Sequence, residues 1–329
     1  MAQSSPEQRR GRREFVADLL RAGALAGLAG GAGWWLSRRG QQPEEPPAPG
    51  FERSHAAAPD PKFPQLAVVR GQEAGAAVRR AIEELGGMRR FVGRGDIVVI
   101  KPNMAWDRTP EQAANTSPAA VLEVARLAWD AGARRVIVAD AGINEPRRVA
   151  ERSGIAAAAR AAGAELLLPE ESRFRIVDLG GEVLRAWPVF RPLLEADKVI
   201  NLPAAKHHDL TGVTLGLKNW FGILGGERQR LHQRIHESLA DLAQFVRPTL
   251  TVLDAWRVLV RNGPSGGNLE DVELSKTVVA GTDAVALDAY AARLFWGLEP
   301  RSLRYLELAS QRGLGRLDLE NVRRSEVTV

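Results

Sequence analysis

Asp96-Ile97-Val98-Val99-Ile100-Lys101, then the alanine-rich stretch Pro118–Ala131, then Arg135-Val136-Ile137-Val138-Ala139 decide how this chain folds. Two continuous apolar runs rich in β-branched residues flank a segment of helical length. That order reads as strand, crossover helix and parallel strand. Strands that lack polar alternation are buried on both faces, so helices must cover both sides of the sheet. Outward from this unit the pattern repeats. Leu66–Arg70 is a strand followed by a helix over Glu73–Leu85, and a helix over Arg147–Ala162 leads to a strand at Glu165–Leu168. Ile176–Leu179 and Val183–Trp187 around Gly180-Gly181 form a hairpin, which makes the sheet mixed. Further strands are expected at Lys198–Leu202, Leu250–Leu253, Trp256–Val260 and Thr277–Ala280, with helices at Glu227–Val246, Ala284–Phe295 and Arg301–Gln311. The fold class is α/β, Rossmann-like, with a mostly parallel mixed sheet and helices on both faces. Residues 63–329 are enough for one large domain or two intertwined lobes.

The N-terminal end has a different composition. Arg12-Arg13-Glu14-Phe15-Val16 precedes the uncharged run Ala22–Leu36, which Arg38-Arg39 closes. A twin arginine, a nearby phenylalanine and a moderately apolar run match a bacterial twin-arginine export signal. At about 1.5 Å per residue the run spans about 22 Å, short of a hydrocarbon core of about 30 Å. Residues 1–40 are thus a signal or an N-terminal membrane anchor, and 41–62, with Pro46-Pro47, Pro49-Gly50 and Pro59-Asp60-Pro61, are a Pro-rich linker. The expectation is a protein exported to the periplasmic or cell-envelope side, free or tethered, with the twin-arginine export machinery as a partner. That leader holds seven arginines against Glu7, Glu14 and Asp18, four of the chain's five net positive charges. The remainder is nearly neutral, so composition gives no reason to expect nucleic acid. There is no cysteine, which excludes disulfides, cysteine nucleophiles and cysteine-ligated iron–sulfur clusters.

In open α/β sheets, sites form at the carboxyl ends of strands. That rule selects Lys101-Pro102-Asn103, Asp140-Ala141-Gly142, Asn201-Leu202-Pro203 and Asp254-Ala255. Thr116-Ser117-Pro118 reads as a helix cap and, beside a lysine, as an anion site. Residues 207–236 hold four of the five histidines, Lys218 and the turn Gly225-Gly226. His207 and His208 are adjacent and cannot point the same way in an extended strand, so one of them faces the site. His232 and His236 fall four apart on the expected helix, where a histidine pair on one face can bind a metal. Gln233 occupies the place where the zinc-protease pattern needs glutamate. The competing reading is a pair of structural histidines at the core boundary. Lys218 lies in the apolar segment Leu215–Leu224, where burial would lower its pKa and favour a base, a Schiff-base amine or a cofactor tether. Gly225-Gly226 and Asn262–Gly267 can turn backbone N–H groups toward an anion. Asp254, Asp283 and Asp288 supply carboxylates near strand ends or helix starts, and Asp288, in a helical run, can equally be a polar-face residue.

Taken in order, Lys101-Pro102-Asn103, Thr116-Ser117-Pro118, Asn201-Leu202-Pro203, Lys206-His207, Thr211-Gly212, Leu217-Lys218-Asn219, Phe221-Gly222, Leu231-His232, Asn262-Gly263-Pro264 and Ala280–Asp288 resemble the family called domain of unknown function 362. The match runs from about residue 95 to 315. It implies an α/β fold and a shared site, without a settled reaction. Some members carry cysteine clusters for iron–sulfur centres; this chain departs from them. The order His208, Lys218, then His232 or His236 is also faintly similar to the metal region of nickel-pincer lactate racemases, where the lysine tethers the cofactor and histidines serve the metal and proton transfer. That similarity implies that Lys218 and the histidines form one site, and assigns neither nickel nor racemisation.

The functional expectation is an enzyme acting on a small anionic metabolite. Its catalytic groups would be Lys218, His207, His208 and Lys101, with Asn103, Asn219, Gly225 and Gly226 binding a cofactor or ligand. The histidines are read as metal ligands or acid/base groups: His208, His232 and His236 are candidates to hold a divalent transition metal, and the sequence assigns no cofactor. The alternative is a non-catalytic extracytoplasmic binding or cofactor-handling protein built on the same pocket.

Overall fold

The computed structural model describes Ala48 and residues 54–329. The twin-arginine segment and most of the linker lie outside the described residues. Among the described residues no helix is long and apolar enough to cross a membrane.

The strand, helix, strand unit is as the apolar runs require. β2 (Ile97–Pro102), α2 (Pro118–Ala131) and β3 (Arg135–Ala139) follow β1 (Leu66–Arg70) and α1 (Ala74–Glu84). β2 pairs in parallel with β3 on one side and with β7 (Lys198–Leu202) on the other, and Lys101 stands opposite Asn201. β4 (Glu165–Leu167) extends this parallel half. Ten strands form one sheet, whose main path runs β12 (Arg324–Thr328), β1, β11 (Val272–Gly281), β10 (Leu250–Leu259), β7, β2, β3 and β4. β10 and β11 pair antiparallel, as do β1 and β11, while β12 pairs with β1 in parallel. The sheet is therefore mixed and mostly parallel.

Side chains alternate across it. Val98, Ile100, Val136, Val138 and Ile200 pack with Val121, Val124, Val149 and Ala159, under α1, α2, α3 (Pro146–Arg152) and α4 (Ile155–Ala161). Val99, Ile137, Val199 and Leu253 face the opposite way, toward Leu239, Ala286 and Tyr305. Those residues belong to the later helices, α7 (Ile235–Phe245), α8 (Ala284–Trp296) and α9 (Arg304–Gln311). Both faces are covered.

Four departures from expectation have local causes. The helix expected over Arg147–Ala162 is two helices, because Gly154 at φ 75° ends one and opens the next. The expected strands Leu250–Leu253 and Trp256–Val260 are one strand with a bulge between Ala255 and Arg257. The hairpin is shifted outward, to β5 (Phe174–Asp178) and β6 (Ala186–Phe190), and forms a separate two-stranded sheet, so it is not what makes the main sheet mixed. The helix expected over Glu227–Val246 is α-helical only from Ile235, following a 3-10 stretch over Arg228–Arg234. Two strands beside the site were not expected, β8 (Ala204–His208) and β9 (Gly212–Thr214). Between β6 and β7 lies α5 (Arg191–Leu194), and after β9 comes α6 (Gly216–Asn219), which carries Lys218.

Candidate functional site

A cavity of about 770 Å³ opens at the carboxyl ends of β2 and β3. The end of β2 supplies Lys101 and Asn103, and Asp140 follows β3 directly. β8 supplies Lys206 and His208, which sit two apart and so share a face. α6 brings Lys218 and Asn219, and the 3-10 stretches after it bring Phe221, Arg228 and His232. Lys101, Lys206 and Asn219 are each only 1% exposed.

Asn219 is the hub of this wall. Its Oδ1 accepts from Lys101 Nζ at 3.0 Å and Asn103 Nδ2 at 3.1 Å. Its Nδ2 donates to the Lys101 carbonyl at 3.1 Å and to Asn201 Oδ1 at 2.9 Å. A side-chain amide has two donor hydrogens and two acceptor lone pairs, so Asn219 is saturated by protein groups. It positions its neighbours rather than offering hydrogen bonds to a ligand.

The three buried lysines differ in how their donors are used. Lys101 donates to the Pro102 carbonyl at 2.9 Å and to Asn219 Oδ1 at 3.0 Å, and forms an ion pair with Asp140 Oδ1 at 2.6 Å. Lys206 donates to Asn103 Oδ1 at 3.0 Å and to the Ala114 carbonyl at 2.6 Å. Lys218 Nζ stands 4.5 Å from the centre of the Phe221 ring and meets no hydrogen-bond acceptor or carboxylate among the described residues. Burial removes water from all three ammonium groups and holds each below the usual lysine range. Lys206 is pushed down to about 7 by burial and then by the charge of Lys218. Lys218 is pushed down to about 7 by burial, Arg228 and Lys101.

Arg228 adds a fourth cation whose guanidinium is tied to backbone. It donates to the carbonyls of Ala141 and Gly142, and to those of Phe221 and Leu224 at 3.2 Å. It contributes charge more than free donors. Gly222 lies so close to the Lys101–Asp140 pair that a Cβ there would meet Lys101 Nζ at 2.6 Å. Only glycine lets the chain pass.

His208 Nδ1 accepts from the Leu210 amide at 3.1 Å, so the neutral ring carries its proton on Nε2. Burial, then Lys218 and Lys206, push its pKa down to about 3. It is a neutral N–H donor at working pH. His232 directs Nδ1 to the Gln229 carbonyl at 3.0 Å and sits edge-on to Phe221, 5.4 Å between ring centres.

Residues 98–293 match the model of the family described as Domain of unknown function (DUF362). The chain belongs to that family. It is 31% identical over 221 residues to a thylakoid-associated protein of Synechocystis, covering 65% of this chain and 67% of that one. Among solved structures, the lactate racemase apoprotein from Thermoanaerobacterium thermosaccharolyticum aligns at a TM-score of 0.39 and 13% identity. That alignment covers 75% of this chain, which spans 61% of the racemase chain.

Of the residues singled out in this DUF362 sequence, Lys101, Asn103, His208, Lys218, Asn219, Gly226 and His232 line one cavity. Three others lie elsewhere. His207 is on the other face of β8, with Nδ1 3.7 Å from Asp209, because neighbours in a strand diverge. Gly225 gives its N–H to the Pro188 carbonyl at 2.8 Å and is pressed against Phe174, so its amide is unavailable to a ligand. His236 stacks on Tyr305, with ring centres 6.5 Å apart. The expected face shared by His232 and His236 does not form, because Arg234 at φ −131°, ψ 52° separates the 3-10 stretch from α7. The donor set also does not suit the three-histidine metal centre. His208 uses one ring nitrogen as an acceptor and holds the proton on the other. Among the described residues no three His, Cys, Asp or Glu side chains group closely enough to hold an ion.

Asp140, Lys206 and Arg228 also line the cavity. The strand-end rule points to Asp140, and the i, i+2 relation to His208 in a strand points to Lys206. Nothing in the sequence marks Arg228, whose role depends on four carbonyls from two segments. Asp288 also proves more than a polar-face residue. Its oxygens accept from the amides of Gly216 at 2.7 Å and Leu217 at 2.9 Å, the opening turn of α6. Burial pushes its pKa up to about 7. Asp288→Ala leaves both amides without acceptors and loosens the turn that holds Lys218 and Asn219. The expected stability loss is about 2–4 kcal/mol, read from urea denaturation.

Proposed function

We propose that this DUF362 protein is an exported enzyme that acts on a small anionic metabolite held in the lysine cavity. The supporting observation is charge: Lys101, Lys206, Lys218 and Arg228 converge with Asp140 as their only buried carboxylate in the lining. Asp209 and Glu227 also line it, but their side chains are 74% and 70% exposed and give little to the interior. A carboxylate or phosphate entering the cavity supplies the missing counter-charge. It gains strength from the low local dielectric, with the His208 Nε2–H and the remaining Lys206 donor as contacts. His232 and Lys218 serve proton transfer at its edge. Export rests on the twin-arginine pattern of residues 1–40, and the thylakoid-associated relative supports a place at a membrane.

Anion binding should take up protons. Near neutral pH Lys206 and Lys218 are only partly protonated, and an anion favours their charged forms, so affinity falls as pH rises through about 7. The limit is about tenfold per pH unit for each proton taken up. Isothermal titration calorimetry with inorganic phosphate and with oxalate at several pH values measures this, beside Lys206→Met and Lys218→Met. Binding that ignores both pH and the two substitutions would overturn the proposal. Binding that follows them, with no turnover of bound acids by mass spectrometry, would leave a non-catalytic anion-binding protein.

A further inference from the structure

The three cavity lysines are not equivalent, and their contacts separate them. Lys101 is tied to the Pro102 carbonyl, Asn219 and the carboxylate of Asp140, and Lys206 has two of three donors fixed on Asn103 and Ala114. Lys218 is 92% buried and reaches the cavity with its amine against an aromatic face instead of an acceptor. A side chain held for its positive charge is normally given a carboxylate or carbonyl. Here the nearest charged groups are cations, the arrangement that turns a lysine into a nucleophile. Resting on the anion-site reading above, we infer that Lys218 is a Schiff-base nucleophile for an aldehyde or ketone that carries a phosphate or carboxylate.

The parts of such a reaction are in place. The anionic group of the ligand is held by the charge of Lys206, Lys101 and Arg228, and its apolar body rests against Phe221 and Trp106, which line the same cavity. The neutral Lys218 amine attacks the carbonyl carbon and forms a C–N bond while the C=O π pair moves to oxygen. One proton passes from nitrogen to that oxygen. The second amine proton then leaves with the hydroxyl group as water, giving a C=N bond. No oxidant or reductant is needed. His232, with Nε2 unengaged among the described residues, is the cavity histidine able to carry those protons, and His208, fixed as an Nε2–H donor, can hydrogen-bond the carbonyl oxygen. The lowered pKa of Lys218 supports the same assignment, because a substantial fraction of its amine is neutral at pH 7.

The chain has six lysines, at 62, 101, 198, 206, 218 and 276, so the modified residue can be found directly. Pyridoxal 5′-phosphate, an aldehyde bearing a phosphate, is the probe, with phosphate-free pyridoxal as control. After borohydride reduction, peptide mass spectrometry should place the pyridoxyl group on Lys218 at least about tenfold faster than on Lys62, Lys198 or Lys276. An ordinary lysine exposes about a thousandfold less neutral amine at that pH. Inorganic phosphate should slow labelling of Lys218 alone, and pyridoxal should react more slowly there. Lys218→Met should abolish the fast label, and Lys218→Arg should do so while keeping the charge; circular dichroism checks both folds. A fast label on Lys206, or equal labelling of all exposed lysines, overturns the assignment. Calorimetry with inorganic phosphate separates the two levels. Phosphate binding without fast labelling ends the covalent step and keeps the anion site. Neither binding nor labelling ends both.

Discussion

Asp140→Ala is expected to destabilise the protein by about 3–5 kcal/mol, the range for removing one partner of a buried ion pair. Asp140 is the carboxylate 2.6 Å from Lys101 Nζ, and both side chains are almost fully buried. Its second oxygen accepts from the Met104 amide at 2.6 Å. One substitution therefore strands a buried ammonium and a buried backbone donor together. Without its principal counter-charge, Lys101 also loses its proton more readily, and its bond to Asn219 weakens. Asn219 in turn holds Asn103 and the Lys101 carbonyl, so the damage spreads along the wall. Urea denaturation should show the loss, and Asp140→Ala combined with Lys101→Met should recover part of it because no charge is left unpaired. Asp209→Ala, on the exposed rim, should change stability by less than about 0.5 kcal/mol. A small effect for Asp140→Ala, or no recovery in the double variant, would show that the pair does not hold this wall together.

The parallel half of the sheet was legible because local pattern and tertiary role agree there. Ile97–Ile100, Arg135–Ala139 and Lys198–Leu202 are apolar enough to be buried on both faces, and α2 has both a serine cap and a proline at its first turn. Legibility failed where tertiary contacts overrule local sequence. Ala204–His208, with three polar or charged residues in its second half, reads as a loop, yet β10 on one side and β9 on the other make it a strand. Without that strand, the shared face of Lys206 and His208 is not visible in the sequence. The His232/His236 pair was misread for the opposite reason. The apolar spacing from Ile235 onward is helical, but nothing local reveals that the helix begins only there. Lys218 was legible from its apolar surroundings; that it stands apart from Lys101 and Lys206 in lacking an acceptor was not, because those acceptors come from residues up to 118 positions away.

The ligand-free protein is expected to gain stability as pH rises from neutral toward 10, the reverse of the common decline at alkaline pH. Lys206 and Lys218 have folded-state pKa values pushed down to about 7, against 10.5 for the free side chain. Below about 7 both states hold these protons and the full cost of burying the charges is present. Between about 7 and 10.5 the unfolded chain still binds protons that the folded chain has released, so stability climbs with pH. The slope is about 1.4 kcal/mol per pH unit for each such lysine. The pair is coupled, so the combined release lies between one and two protons. Lys101, which burial also holds below the usual lysine range, acts in the same direction, while Asp288, His208 and Tyr305 act outside this window. Asp288, raised from 3.8 to about 7, makes the fold less stable as pH rises between those values. His208, lowered from 6.5 to about 3, makes it more stable as pH rises over nearly the same range, and the two oppose one another. Tyr305, raised well above 10, weakens the fold only at higher pH. Urea denaturation between about pH 7.5 and 9.5 should give a positive slope that Lys218→Met reduces. A bound anion should flatten it, since the counter-charge keeps both amines protonated in the folded state. A flat or falling profile in wild-type protein would mean that the amines keep ordinary pKa values and that water or an ion already shields them. The cavity would then lack the unmet positive charge on which anion binding and the Lys218 nucleophile both depend.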